Sequence, residues 1–162
     1  MNGADAIAEI LRREGTEFLA CFPSHPLIDA CSNLDIRPII CRQERMDKLC
    51  INVMGDAAFG MTGLDIETAV RSSIPILTIV LNNGVMTGYE KHMPEATEKW
   101  ASNELGGDYA DVARALGAHA TRVTTPDELA AAFRAALRAN AEGRPALVEV
   151  MTKAEGAVPL YM

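Results

Sequence analysis

The sequence predicts an α/β fold with a mostly parallel sheet that is covered by helices on both faces. Several candidate strands are unbroken apolar runs, which is typical of strands buried on both sides. Segments with helical apolar spacing separate these runs, and this alternation favours a parallel sheet. Aromatic residues make up only 5% of the 162 residues. Alanine is abundant instead, and small side chains suit helices that pack closely on a sheet.

The first part of the chain predicts two helices and two strands. Apolar residues at helical spacing, followed by Gly15, predict a first helix whose inward face carries Ile7, Ile10 and Leu11. Three short elements follow, namely a strand at 18–22, a helix at 27–31 and a strand at 36–41.

The rest of the chain is organised around its most continuous apolar run, 74–81, which Asn-Asn-Gly closes and which predicts a strand. Further strands are expected at 49–55 and 145–150, and helices at 64–72 and 108–116. A capping box at 125–128 opens a last helix, with proline at its first position. The inward face of that helix carries Leu129, Ala132, Phe133, Ala136 and Leu137. Between 84 and 107 lies a long irregular stretch, and such loops are often functional.

Charge and composition exclude several classes of partner. The net charge is −7 without a basic face, so nucleic acid is not an expected partner. No apolar run approaches the roughly 20 residues of a membrane span. The acidic N-terminus is unlike a targeting peptide, which predicts a cytoplasmic protein. Four cysteines without a CxxC pair, expected as reduced thiols, are Cys21, Cys31, Cys41 and Cys50.

Oxygen-bearing side chains follow two consecutive predicted strands. Asp56 comes directly after one strand, and Asn83 follows the next, 27 positions later. The carboxyl ends of parallel strands meet at one edge, where ligands bind in such folds. Carboxylate and amide oxygens suit Mg²⁺, and Gly55, Ala57 and Ala58 leave the backbone open to a diphosphate. The alternative is that both sites are ordinary turns after strands.

Residues 55–94 resemble the cofactor-binding motif of thiamine-diphosphate-dependent enzymes of the acetolactate synthase and 2-oxoacid decarboxylase type. The motif begins with Gly55-Asp56-Ala57 and ends with Asn82-Asn83, and Ala57 stands where glycine is common in the family. The resemblance implies thiamine diphosphate and Mg²⁺ as cofactors. It implies that the Asp56 and Asn83 side chains and the Val85 carbonyl hold the metal.

The same resemblance assigns further roles around the cofactor. Ala57 and Ala58 match positions that line the diphosphate, and Met86 begins the segment that closes over the cofactor. Residues 1–46 resemble the start of the family's pyrimidine-binding domain. Glu44 matches the glutamate that hydrogen-bonds the aminopyrimidine ring and so promotes deprotonation of the thiazolium. His25 lies where relatives often place a polar group beside the substrate, and an imidazole can transfer protons near neutral pH; the alternative is a surface histidine.

These resemblances divide the chain in two. Residues 1–47 match the start of a pyrimidine-binding-type domain and residues 48–162 the C-terminal part of a diphosphate-binding domain, expected to pack as one compact unit. The link at 43–48 is too short for a parallel crossover. The strands on either side are therefore antiparallel neighbours in one sheet, or they belong to different layers, or the chain folds in another way. In the family the two ends of the cofactor are usually held by different subunits, which implies a homo-oligomer, at least a dimer.

The expected function is decarboxylation of a small 2-oxo acid, or its ligation to a second carbonyl, as in acetolactate synthase. Most of the pyrimidine-binding domain and the whole middle domain of the family are missing from this chain. The alternative is therefore a non-catalytic truncated remnant, or an oligomerisation module, of such an enzyme.

Overall fold

A computed structural model describes residues 3–21, 26–40 and 49–154. Its N-terminal elements are α1 (Gly3–Arg13), β1 (Phe18–Cys21), α2 (Pro26–Ser32) and β2 (Arg37–Ile40). The central elements are β3 (Cys50–Gly55), α3 (Asp56–Thr62), α4 (Asp65–Arg71) and β4 (Ile76–Asn82). The remaining elements are α5 (Pro94–Trp100), α6 (Tyr109–Ala115), β5 (His119–Val123), α7 (Pro126–Ala141) and β6 (Ala146–Met151).

The strands form two parallel sheets. In the first, β1 pairs with β2, and Phe18 lies opposite Arg37. The second has the order β3-β4-β6-β5, and each neighbouring pair in it is parallel. Helices cover both faces of this sheet, because one buried cluster includes α7 residues and another includes residues of α3 and α6. The predicted α/β class is therefore confirmed.

The strands on either side of the short link at 43–48 belong to different sheets, since β2 pairs with β1 and β3 pairs with β4. The two strands are therefore not antiparallel neighbours in one sheet. The β1 backbone nevertheless lies beside β3, and α1 packs against α2 and α7. Ile7 and Leu11 of α1 belong to the same buried cluster as Leu77 and Phe133. The N-terminal elements and the four-stranded sheet thus share one core.

Three elements differ from the sequence prediction. β5 lies at the edge of its sheet, and only Val123 among its five residues is buried, so it lacks the apolar run that identified the other strands. α3 begins directly where β3 ends, in a segment without a separate helix signal. α5 lies within the stretch that was expected to be irregular, and Pro94 occupies its first turn.

Within the described segments, no helix is both long enough and apolar enough to cross a membrane. Cys31 is buried and Cys50 is half-buried. The side chain of Cys21 and all of Cys41 lie outside the described part of the chain.

The glycines that follow α6 and α7 allow a matched stability test. Gly117 and Gly143 both have positive φ, at 95° and 78°, so alanine at either position is strained by about 1–2 kcal/mol. A Cβ at Gly117 would also lie 3.1 Å from Cγ1 of Val70, whereas one at Gly143 would meet open space. We expect Gly117→Ala to lower the free energy of unfolding more than Gly143→Ala does, as measured by urea denaturation. Equal losses would show that Val70 moves aside without cost.

Candidate functional site

The ends of β3 and β4 place several polar groups at one edge of the four-stranded sheet. The two strands are parallel, and Gly55 at the end of β3 lies opposite Leu81. Asp56 and Asn82, the next residues of the two segments, therefore lie side by side at the ends of these strands. The carboxyl edge of a parallel sheet is the usual ligand-binding edge.

Asp56 is the first residue of α3 and is only 3% exposed. Its Oδ1 accepts a hydrogen bond of 2.8 Å from the Ala57 N–H, and its Oδ2 accepts one of 2.8 Å from the Gly84 N–H. The carboxylate thus joins the start of α3 to the loop that follows β4. Gly84 makes this loop possible because it has a φ of 73°, a conformation that glycine adopts without strain.

Asn83 contributes a second oxygen to the same loop. Its Oδ1 accepts a 3.0 Å hydrogen bond from the Val85 N–H, and its Nδ2 donates to Oγ1 of Thr87 at 3.2 Å. The Asp56 and Asn83 oxygens therefore meet the N–H groups of two consecutive residues, Gly84 and Val85. This places a carboxylate oxygen and an amide oxygen close together.

The Val85 carbonyl lies on the same side of the loop as Asn83. Val85 forms an antiparallel bridge with Glu104, and the hydrogen bonds of this bridge join Met86 N–H to Asn103 O and Leu105 N–H to Gly84 O. In such a pair the N–H and C=O of the bridged residue itself point away from the partner segment. The Val85 carbonyl thus faces the side on which its N–H meets Asn83.

These donors fit a small, hard cation. One carboxylate, one side-chain amide oxygen and one main-chain carbonyl are oxygen ligands that suit Mg²⁺, which usually completes its shell with phosphate and water. Within the described ranges, no group of three or more His, Cys, Asp or Glu side chains is arranged so that it could hold a metal ion. Asp56 is the one carboxylate among the three ligands named above.

The backbone beside Asp56 leaves room for a further group. A Cβ built on Gly55 would meet nothing within 4 Å, and Ala57 and Ala58 are half-buried. The chain itself therefore leaves space beside these three residues. Met86 is half-buried and is held to Asn103 by the 2.8 Å hydrogen bond of its N–H.

The structure brings Gly55, Asp56, Ala57, Ala58, Asn83, Val85 and Met86 to this one edge. The two predicted catalytic residues, His25 and Glu44, lie outside the described residues.

Sequence reasoning missed two buried polar residues behind the loop. Asn82 donates from Nδ2 to Oε1 of Glu149 at 2.7 Å, and its Oδ1 accepts from the Gly84 N–H at 3.1 Å. Glu149 lies in β6 and is fully buried. A signal was available, because Glu149 is an acidic residue within the otherwise apolar run 145–150.

Charged neighbours extend this buried pair towards α6. Arg122 lies with its Nε 3.8 Å from Oε1 of Glu149, and its Nη1 donates to Asp108 at 3.1 Å. The hydrogen bond from the Asp111 N–H, followed by Arg122, holds the pKa of Asp108 below its usual value. Burial, and then the negative charges of Asp56 and Glu149, raise the pKa of Tyr109. The Tyr109 hydroxyl therefore stays protonated beside this acidic site.

Comparison with known proteins gives a consistent result. Residues 40–150 match the family described as "Thiamine pyrophosphate enzyme, C-terminal TPP binding domain". The acetolactate synthase large subunit of Mycobacterium tuberculosis is 37% identical over 118 residues, which cover 71% of this chain and 21% of that protein. The 2-hydroxyacyl-CoA lyase of rice, Oryza sativa, is 31% identical over 112 residues, which cover 65% of this chain and 19% of that protein. The chain thus spans about a fifth of the length of these relatives.

Two solved structures have the same fold over nearly the whole chain. The thiamine diphosphate-dependent 4-hydroxybenzoylformate decarboxylase of Rhodococcus jostii gives a TM-score of 0.68 at 18% identity and covers 97% of this chain. The benzoylformate decarboxylase of Polynucleobacter necessarius gives a TM-score of 0.66 at 19% identity and covers 94% of it. In both cases the match takes up 33% of the longer chain.

Proposed function

Because this chain belongs to the thiamine pyrophosphate enzyme family, we propose that it binds thiamine diphosphate through Mg²⁺ at the carboxyl edge of its four-stranded sheet. One observation carries the proposal. The Asp56 carboxylate and the Asn83 amide oxygen meet consecutive N–H groups at this edge. Both residues lie within the segment that matches the family's cofactor-binding domain.

Each residue of the edge has a role in this proposal. Asp56, Asn83 and the Val85 carbonyl hold Mg²⁺, and Asp56 supplies the charge that opposes the metal. The open backbone at Gly55, Ala57 and Ala58 receives the diphosphate, and the segment from Met86 covers it. Bound thiamine diphosphate supplies the carbon nucleophile and electron sink that 2-oxo acid chemistry requires.

We further propose that the reaction is decarboxylation or ligation of a small 2-oxo acid, as the similarity to acetolactate synthase suggests. Glu44 would act on the aminopyrimidine ring, and His25 would transfer protons beside the substrate. The proposal includes a homo-oligomer in the cytoplasm, in which a second copy completes the pocket. Large exposed apolar side chains support an association surface; they are Met61, Leu64, Tyr89 and Trp100.

A second candidate is a non-catalytic chain that binds the cofactor without turning over a substrate. It is favoured by the short link at 43–48, which leaves few residues between the two segments that resemble different cofactor-binding domains of the family. The two candidates share the cofactor site and differ only in turnover. Product formation from pyruvate by the loaded protein would support the enzyme, and binding without product would support the non-catalytic chain.

The cofactor site is tested by calorimetry with thiamine diphosphate and Mg²⁺. We expect wild-type binding that requires the metal and is abolished by excess EDTA. Asp56→Asn keeps the size of the side chain but removes the charge that faces the metal. We expect it to weaken binding by at least about tenfold, which corresponds to about 1.4 kcal/mol.

The matched control is Asp65→Asn, since Asp65 is exposed in the first turn of α4 and lies off this edge. It should bind as the wild type does. No binding by the wild-type protein, or equal affinities for the wild type and Asp56→Asn, would rule out the proposed site.

A further inference from the structure

We propose that Glu149 is a positioning residue for the cofactor edge: it fixes Asn82, and through Asn82 it holds the Gly84 N–H against Asp56. The significance of this role for cofactor binding rests on the proposed function. The hydrogen-bonded chain itself is a property of the folded protein and can be tested without cofactor.

The location of Glu149 is costly unless its carboxylate has a role. The residue is fully buried in β6, and its neighbours Leu147, Val148 and Val150 are buried apolar side chains. Removing a carboxylate from water is strongly unfavourable, and an apolar residue of similar volume often serves stability as well or better. The hydrogen bonds that the Glu149 carboxylate accepts must therefore explain why an acidic residue occupies this buried position.

Both oxygens of Glu149 are used. Oε1 accepts from Nδ2 of Asn82 at 2.7 Å, and Oε2 accepts from the Ala110 N–H in the first turn of α6 at 2.9 Å. Arg122 is the cation that faces it, with Nε at 3.8 Å from Oε1. The carboxylate thus joins β4, β6 and α6 beneath the carboxyl edge.

Asn82 links Glu149 to the Gly84 N–H at the carboxyl edge. With Nδ2 held by Glu149, its Oδ1 is directed to the Gly84 N–H at 3.1 Å, and Oδ2 of Asp56 accepts from the same N–H at 2.8 Å. One N–H group is therefore shared by two side chains. If Asn82 turned, the Gly84 N–H and the bonded Asp56 oxygen would lose their fixed position.

The alternation of side chains explains why these groups meet. Val80 and Arg122 lie on either side of Glu149 in the sheet register. Successive side chains of a strand point to opposite faces, so Asn82 lies on the same face of β4 as Val80. Val80 and Leu147 belong to the buried cluster under α3 and α6. Asn82 and Glu149 thus lie towards the carboxyl end of the sheet face that this cluster covers.

The test exchanges hydrogen-bonding groups without changing shape. Glu149→Gln leaves one acceptor oxygen for two donors, the Asn82 Nδ2 and the Ala110 N–H. We expect the amide exchange of Gly84, measured by NMR without cofactor, to accelerate on the order of tenfold because a buried donor loses its partner. The Ile79 amide, in the middle of β4, reports global opening, and the ratio of the two rates is the quantity compared.

A double variant provides the rescue. In Glu149→Gln with Asn82→Asp, the Gln oxygen can accept from Ala110, the Gln NH₂ can donate to the new Asp, and that Asp can still accept from Gly84. We expect the wild-type rate ratio to return. Asn82→Asp alone places the new carboxylate beside that of Glu149. We expect its rate ratio to lie above the wild-type ratio. If Glu149→Gln does not fold, the test depends on the double variant. A Gly84-to-Ile79 rate ratio well above wild type in the double variant would overturn the proposal.

Asn140→Ala controls for general destabilisation. Asn140 is also buried, and its Nδ2 donates to the carbonyls of Ile76, at the opposite end of β4, and Arg144. It should speed exchange of Gly84 and Ile79 equally. If Glu149→Gln behaves in the same way, Glu149 is only structural and the proposal fails.

Cofactor affinity separates this inference from the proposed function. We expect Glu149→Gln to weaken Mg²⁺–thiamine diphosphate binding on the order of tenfold, as loss of a group that orients metal ligands typically does. If the wild-type protein binds and Glu149→Gln binds equally well, the link from Glu149 to the site is wrong. If the wild-type protein does not bind, the proposed function fails, whereas a Gly84-specific change in exchange still supports the hydrogen-bonded chain.

Discussion

Phe133→Ala is expected to lower the free energy of unfolding by about 3–5 kcal/mol, the usual cost of removing a fully buried phenylalanine. Phe133 is the largest fully buried side chain among the residues that the structure describes. It lies on α7, which packs against β4, β5, β6 and α1. The close packing of these elements limits how far the resulting cavity can collapse, which favours a large loss. Urea denaturation followed by far-UV circular dichroism measures it.

The control for this variant is the next residue of the same helix. Arg134 is exposed, so Arg134→Ala should stay within about 0.5 kcal/mol of wild type. A loss below about 1 kcal/mol for Phe133→Ala would mean that α7 is not packed on the sheet as described.

Leu11→Ala is expected to lower the free energy of unfolding by about 2–5 kcal/mol, in a single transition that includes the four-stranded sheet. Leu11 is fully buried and shares its cluster with Leu77 and Val148 of the central strands. If the N-terminal helices and the sheet fold as one unit, a cavity under α1 destabilises both. The measurement is the slow amide exchange of Ile79 and Val148, which should accelerate in the variant.

The matched surface variant is Arg12→Ala, because Arg12 is exposed on the same helix. It should leave sheet exchange unchanged. Faster exchange in α1 of Leu11→Ala, with unchanged exchange of Val148, would show that residues 1–47 and 48–162 unfold separately.

The parts of the fold that the sequence predicted are those with local signals. The apolar run 74–81 corresponds to β4 (Ile76–Asn82), and the capping box at 125–128 begins α7 (Pro126–Ala141). In α7, Oε2 of Glu128 accepts from the N–H groups of Thr124 and Thr125. These signals lie within a few residues of the element that they specify, so one sequence is enough to find them.

The parts that could not be predicted depend on distant partners. β5 is identified by its pairing with β6 and not by its own half-buried residues. At the site, the common edge of Asp56 and Asn83 could be predicted, because these residues follow two consecutive strands. Their buried neighbours could not. The pairing of Asn82 with Glu149 joins residues 67 positions apart, and no local pattern specifies which buried partner an isolated acid will find.

The bridge at Val85 and Glu104 has a consequence for how this protein can diverge. Hydrogen bonds of 2.8 Å and 2.7 Å join Met86 to Asn103 and Gly84 to Leu105, so residues 87–102 leave and re-enter the domain at one point. Even doubling the length of such a loop adds only about 0.6 kcal/mol of closure free energy. Residues 88–102 can therefore be exchanged or lengthened between related chains while Asp56 and Asn83 keep their geometry, because Thr87, which accepts from Nδ2 of Asn83, is retained. New side chains can then be placed beside the carboxyl edge without any redesign of the fold.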